Sequence, residues 1–142
     1  MIIRQLQLDD LPQLSRLYQQ FWNEISDVEK MKKQLHKINS QNTHIILSAV
    51  DGSQLLGSVM GVICEELYGD CQPFLVIENM IIDKSNRKMG VGKALLLELE
   101  KQAKGRGCSQ MILVTEADRL DACSFYESFG FQQYHKGYKK KL

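Results

Sequence analysis

The chain of 142 residues carries 18 Lys and Arg against 17 Asp and Glu, a formal charge of +1, with 44% apolar and 25% charged residues. That length lets one domain bury a core without staples, and the composition is that of an ordinary globular protein rather than a disordered one. A balance this near neutral argues against a general nucleic-acid binder, no run of 18 apolar residues offers a membrane span, and Met1-Ile2-Ile3-Arg4-Gln5 lacks the apolar segment of a secretory leader.

Ile2 to Leu8 alternates apolar and polar residues as a half-buried strand does. Asp9 or Asp10 then stands where a helix cap is needed. Leu11, Leu14, Leu17, Tyr18 and Phe21 share one helical face behind it, with Pro12 in the first turn, where a missing N–H costs little. Trp22, Asn23 and Glu24 form a connection whose aromatic residue serves either the core or a substrate entrance. A second helix is predicted from about Asp27 to Ile38, with Val28, Met31, Leu35 and Ile38 on one stripe. From Thr43 the period changes. His44 to Val50 reads as a strand, Asp51-Gly52 as a turn, and Leu55 to Cys64 as the returning strand of a hairpin. Gly57 and Gly61 in that strand mark a bulge or the close approach of another element. Glu65 to Pro73 reads as a loop.

Phe74 to Asp83 is the next predicted strand, with Met80, Ile81 and Ile82 as its apolar end, and a helix follows with Leu95, Leu96, Leu99 and Ala103 on its inner face. The junction is Arg87-x-x-Gly90-x-Gly92. Glycines let a bound group approach the backbone, first-turn N–H groups have no partner inside the helix, and Arg87, Lys88 and Lys93 add positive charge, so the junction suits a phosphate or diphosphate. Neither the P-loop spacing nor G-x-G-x-x-G is present. The alternative is that Gly90 and Gly92 merely allow close packing of helix on sheet. Gly105 and Gly107 stop this helix, Cys108 to Thr115 reads as a strand, Asp118 or Asp121 caps a short helix through Ser128, and Gly130 ends it. Phe131 to Leu142 is read as one long extended segment or two short ones, its lysines, Lys136 and Lys139 to Lys141, belonging to a solvated tail or edge strand. The order β, α, α, three β, α, β, α, β is that of an α/β layer. Cys64, Cys71, Cys108 and Cys123 are widely spaced, with no C-x-x-C pair and no histidine at ligand spacing. They are therefore read as reduced thiols of a cytoplasmic protein with no metal site.

A second motif follows the anion turn: Ala122-x-x-Phe125-Tyr126-x-x-x-Gly130-Phe131. Phe125 and Phe129 pack inward with Ala122, and Tyr126 takes a different face. With both motifs in this order and separation, the chain resembles the GNAT superfamily of N-acetyltransferases over essentially its whole length. The resemblance implies a single domain over 1–142 with a central, mostly antiparallel mixed sheet, splayed between its fourth and fifth strands, and helices on both faces. It implies acetyl-coenzyme A (acetyl-CoA) as cosubstrate in that gap. The pantetheine arm would lie along the backbone of Met80, Ile81 and Ile82, and the diphosphate would be held by Arg87, Lys88, Met89, Gly90, Val91, Gly92 and Lys93.

The same resemblance makes Tyr126 the proton donor to the departing thiolate and an N–H at a bulge near Met80 or Ile81 the group that polarises the thioester. Glu78 becomes either the base that deprotonates the amine or a carboxylate that binds a cationic substrate, with Glu65, Glu66 and Glu116 as weaker candidates. Arg119 stands where many members carry Asn; it would meet a cofactor phosphate, a substrate anion or a surface carboxylate. Arg119-x-Asp121-Ala122-x-x-Phe125-Tyr126 also looks like the subgroup containing the aminoalkylphosphonate N-acetyltransferase. The expected activity is transfer of acetyl from acetyl-CoA to a primary amine of a small molecule, in a ternary complex without an acyl-enzyme. A protein acetyltransferase and a non-catalytic acetyl-CoA sensor are the alternatives. Nucleic acid and membrane are not expected partners, and a homodimer would use the extended tail.

Overall fold

A computed structural model describes all 142 residues, Met1 to Leu142. They fall into two compact units, Met1–Ile112 and Leu113–Leu142. The first contains β1 (Ile2–Gln5), α1 (Leu11–Trp22), α2 (Val28–Gln41), β2 (His44–Asp51), β3 (Gln54–Cys64), β4 (Phe74–Ile82), α3 (Val91–Gly105) and β5 (Met111–Ile112). The strands form one sheet in the order β1-β2-β3-β4-β5, antiparallel throughout except for the parallel pair β4–β5. This is the mixed α/β sheet expected.

Because successive strand residues point to opposite faces, the sheet is covered twice. Ile46, Met60 and Ile81 belong to a cluster with Leu11, Leu14 and Leu17 of α1 and Leu35 of α2. The neighbouring residue Gly61 faces the other way: a Cβ there would lie 2.8 Å from Leu75 Cδ1 and 2.9 Å from Leu99 Cδ1 of α3. Gly61 therefore marks the close approach that the sequence suggested, as does Gly57, whose Cβ would stand 2.7 Å from the Ile81 carbonyl oxygen. Leu95, Leu96 and Leu99 of α3 are fully buried, each worth about 1.5–3 kcal/mol of transfer free energy.

The helix ends show how local sequence sets boundaries. Asp27 caps α2 by accepting from the Lys30 N–H at 3.1 Å. That helix runs to Gln41, three residues past the expected Ile38, because Asn42 supplies a left-handed stop at φ +53°. After α3, Gly107 takes φ +76°, and the Cys108 and Gly107 N–H groups return to the Ala103 and Lys104 carbonyls at 3.0 Å each. The start of α1 differs from expectation. Leu8–Asp10 is a 3₁₀ turn running straight into the helix, and Asp10 makes no cap to it. Instead the Asp10 carboxylate accepts from Arg4 Nη1 and Nη2 at 2.7 and 2.8 Å, from the Gln7 N–H at 2.8 Å and from Ser48 Oγ at 3.3 Å. This polar knot ties the helix entrance to β1 and β2. Burial opposes its charge, but the Arg4 hydrogen bonds, with help from the Gln7 N–H, the Arg4 charge and Ser48, hold the carboxyl below its usual range.

The second unit contains α4 (Leu120–Ser128), which begins at Arg119 without a side-chain cap, so neither Asp118 nor Asp121 plays the expected part. Gly130, at φ +102°, closes it as anticipated. The expected strand from Cys108 to Thr115 is laddered only at Met111 and Ile112, opposite Leu75 and Val76 of β4. Phe131 to Leu142 forms no strand. Its run of Lys139 to Lys141 has no apolar face to bury. The backbone at Gly137 nonetheless approaches Val114, whose Cγ2 would stand 3.3 Å from a Cβ there.

Candidate functional site

β4, the turn after it and the start of α3 form one continuous stretch within the first unit. β4 pairs with β3 along its length but with β5 only through Leu75 and Val76, so from Ile77 onward its outer edge has no strand beside it within this unit. On the inner side, Ser58 pairs with Ile81 and Met60 with Glu78: two steps on β3 against three on β4. The extra residue is a β-bulge in which Asn79 takes φ +49°, a conformation Asn tolerates better than most side chains. Met80 follows directly, so the bulge expected near Met80 or Ile81 is present. Glu78 precedes it, exposed to solvent and on the same sheet face as Met60.

Past Ile82 the chain turns tightly. Asp83 caps the 3₁₀ turn Lys84–Asn86, accepting from the Ser85 N–H at 3.4 Å and Ser85 Oγ at 2.9 Å. Burial raises the Asp83 carboxyl, yet the hydrogen bonds from Ser85 and Gln20 and the charge of Arg87 outweigh it and leave the group lowered. Arg87 Nε donates to the Ile82 carbonyl at 3.4 Å, and Lys88 sits at φ +62°. Gly90, the N-cap of α3, has φ +82° and no side chain to cap the helix, and a Cβ built on it would meet nothing within 4 Å. Close packing therefore does not explain this glycine; its backbone angle and the open space beside it do. The N–H groups of Val91, Gly92 and Lys93 precede the first intrahelical bond, from the Ala94 N–H to the Gly90 carbonyl at 3.0 Å. Val91 is buried and anchors the turn, while Lys88, Met89 and Gly90 are exposed. An uncapped helix start, an open glycine and cations at Arg87, Lys88 and Lys93 suit an anionic group such as a phosphate or diphosphate.

In the second unit Tyr126 lies on α4, its ring edge-on to Phe125 at 5.3 Å and to Phe131 at 5.8 Å. Burial lifts its phenol above the ordinary value, and the positive charge of Arg119, about two turns earlier at the start of α4, draws it partly back. Arg119 thus acts on the electrostatics of Tyr126, a role its sequence position did not suggest. The four cysteines are free thiols; burial pushes the Cys108 thiol up, the wrong direction for an activated nucleophile. No group of three potential metal ligands stands together, and no helix is long and apolar enough to cross a membrane.

Sequence reasoning missed Gln20 of α1, whose amide reaches both Asp83 and Lys84. It offered Asp9 or Asp10 as the cap of α1, whereas Asp10 accepts from the Gln7 N–H in the capping box of the 3₁₀ turn that precedes the helix. Asn79 carried the one available signal, an Asn in the middle of a strand.

Comparison with known proteins bears on this stretch. The family model described as "Acetyltransferase (GNAT) family" matches residues 11–131. A glucosamine 6-phosphate N-acetyltransferase of Trypanosoma brucei brucei is 35% identical over 60 residues, 42% of this chain and 39% of that protein. The aligned stretch spans less than half the length of the curated relatives it matches. Among solved structures, a transcriptional regulator from Bacillus halodurans C-125 superposes with a TM-score of 0.91 at 24% identity, covering 99% of both chains. Glucosamine-6-phosphate N-acetyltransferase from Arabidopsis thaliana does so with a TM-score of 0.86 at 19% identity, covering 99% of this chain and 97% of the other. At these identities the likeness is one of fold.

Proposed function

The chain belongs to the acetyltransferase (GNAT) family, and from that premise we propose that it moves an acetyl group from acetyl-CoA to a primary amine of a small molecule. The observation that carries the reading is the start of α3, where Gly90 at φ +82° leaves open space beside uncapped N–H groups shortly after the bulge in β4. The named activity of the Trypanosoma brucei brucei relative, acetylation of an amino sugar phosphate, supports an amine acceptor.

When bound, acetyl-CoA supplies an acetyl group activated as a thioester. The chain's own residues do the rest. The N–H groups from Lys88 to Lys93, with Arg87, would hold the diphosphate, and the pantetheine arm would lie along the backbone of Met80, Ile81 and Ile82 in the manner of an added strand. A backbone N–H at the bulge near Met80 or Ile81 would polarise the thioester carbonyl and stabilise the negative charge that develops there. Glu78 takes the proton that the acceptor ammonium must lose, directly or through water. The amine nitrogen then forms a C–N bond to the carbonyl carbon as the C–S bond breaks. Tyr126 gives its proton to the sulfur that leaves; a phenol held above the ordinary value is protonated at neutral pH and available for this. No covalent enzyme intermediate is needed. The chain acts as one functional domain over 1–142 in this reading, and Arg119 tunes the phenol.

The test is an amine-library screen following thiol release from acetyl-CoA. Release that depends on one amine class supports the reading. Tight acetyl-CoA binding with no release for any amine would instead make the chain a sensor, and release only with peptides would make it a protein acetyltransferase.

A further inference from the structure

The turn from Asp83 to Gly90 holds two left-handed residues, Lys88 and Gly90, and its internal bonds run mostly through Asp83. The Asn86 N–H also returns to the Asp83 carbonyl at 2.9 Å. From outside the turn, one α1 side chain reaches in: Gln20 Nε2 donates to Asp83 Oδ1 at 3.3 Å, and Gln20 Oε1 accepts from the Lys84 N–H at 3.2 Å. Both ends of a single amide are thus used on adjacent residues of the turn. Seven residues earlier on the same helical face, Gln13 does likewise at the β2–β3 hairpin, donating to the Ser53 carbonyl at 2.8 Å and accepting from the Leu55 N–H at 3.0 Å. α1 is buried along Leu11, Leu14 and Leu17 and is therefore a fixed reference. A turn whose left-handed residues cost free energy and whose donors must hold one geometry benefits from such an outside anchor.

We propose that Gln20 is a positioning residue for the diphosphate turn, setting the register of residues 84–90 through its amide clasp on Asp83 and Lys84. This rests on the reading of that turn as the coenzyme A diphosphate site. Gln20 touches no ligand in this scheme; it acts through the turn. Two solvent-exposed hydrogen bonds of ordinary net strength correspond to about a fivefold loss of affinity when both are removed.

The experiment compares acetyl-CoA with acetylpantetheine, which shares the thioester arm but lacks the diphosphate, on the wild type, Gln20→Leu, Gln20→Glu, and Gln20→Glu combined with Asp83→Asn. Binding is read by calorimetry and folding by thermal melting. Gln20→Leu should weaken acetyl-CoA about fivefold and leave acetylpantetheine unchanged, with Gln20→Glu losing more because two carboxylates then face each other. The double variant reverses the polarity of the clasp, the introduced amide donating to the introduced carboxylate; because Asp83 Oδ1 also accepts from the Ser85 N–H, it should recover part of the affinity that Gln20→Glu loses. Equal weakening of both ligands by Gln20→Leu, or no weakening of either, overturns the proposal, as does a double variant no better than Gln20→Glu. Should the wild type prefer acetylpantetheine or bind neither compound, the diphosphate reading itself is what has failed.

Discussion

Replacing Gly90 separates folding from ligand binding at the residue on which the site reading turns. Its φ of +82° costs an L-residue roughly 1–2 kcal/mol, but a Cβ there meets nothing within 4 Å, so no clash adds to that cost. For 142 residues the unfolding entropy is about 0.3 kcal/mol per kelvin, so the melting temperature should fall by about 3–7 °C. Gly90→Ala and Gly90→Arg should both show that drop, since the penalty comes from the backbone and the longer side chain points into open space. Their binding should part company. Calorimetry with acetyl-CoA should show a loss of about tenfold for Gly90→Ala, whose methyl crowds the approach to the N–H groups, and no measurable binding for Gly90→Arg, whose side chain fills it. A Gly90→Arg protein that melts within this range and binds acetyl-CoA like the wild type would refute the assignment. One that melts far lower would refute the claim of open space.

Three further outcomes follow from the same structure. Tyr126→Phe should lower kcat by about 100-fold while acetyl-CoA affinity holds, and because burial keeps the phenol above its ordinary value, the wild-type rate should not fall up to about pH 9; matched losses in kcat and affinity would remove the acid role. Glu78→Gln should flatten the rise of kcat with pH, and an unaltered profile would leave Glu78 as a substrate-binding carboxylate or a bystander. Asp10 is lowered in the folded state by Arg4, Gln7 and Ser48, so its contribution is present above the unfolded value of about 3.9 and is lost as the pH falls through the lower folded value. Urea unfolding should therefore show wild-type stability declining below about pH 4, whereas Asp10→Asn starts about 2 kcal/mol lower at pH 7 and lacks that part of the decline.

Much of the fold was legible because burial imprints periodicity. The Leu95, Leu96, Leu99 and Ala103 stripe gave α3, the Asp51-Gly52 turn gave the β2–β3 hairpin, and the paired motifs around Gly90 and Tyr126 pointed to the family. What was not legible depends on partners far away in sequence. Asp10 looked like a cap because its neighbours form a helix, yet Arg4 and Ser48 outbid the helix N–H groups for its oxygens. The stretch Cys108 to Thr115 has the composition of a strand, but a ladder also needs two strands to run side by side, and only Met111 and Ile112 pair with β4. The tail has strand-like aromatic residues at Tyr134 and Tyr138, both exposed, and nothing local reveals that they find no ladder. At the site, glycine spacing and charge exposed the anion turn, whereas the clasp from Gln20, sixty-odd residues away in the chain, left no local mark.

The central claim is that the backbone at the start of α3 grips the diphosphate of acetyl-CoA. Titrating coenzyme A into ¹⁵N-labelled protein reads those amides one by one. The account predicts that the largest amide shifts fall on residues 88–93, with a second group on Met80 to Ile82. Saturable binding that leaves the Gly90, Gly92 and Lys93 amides unmoved would contradict it.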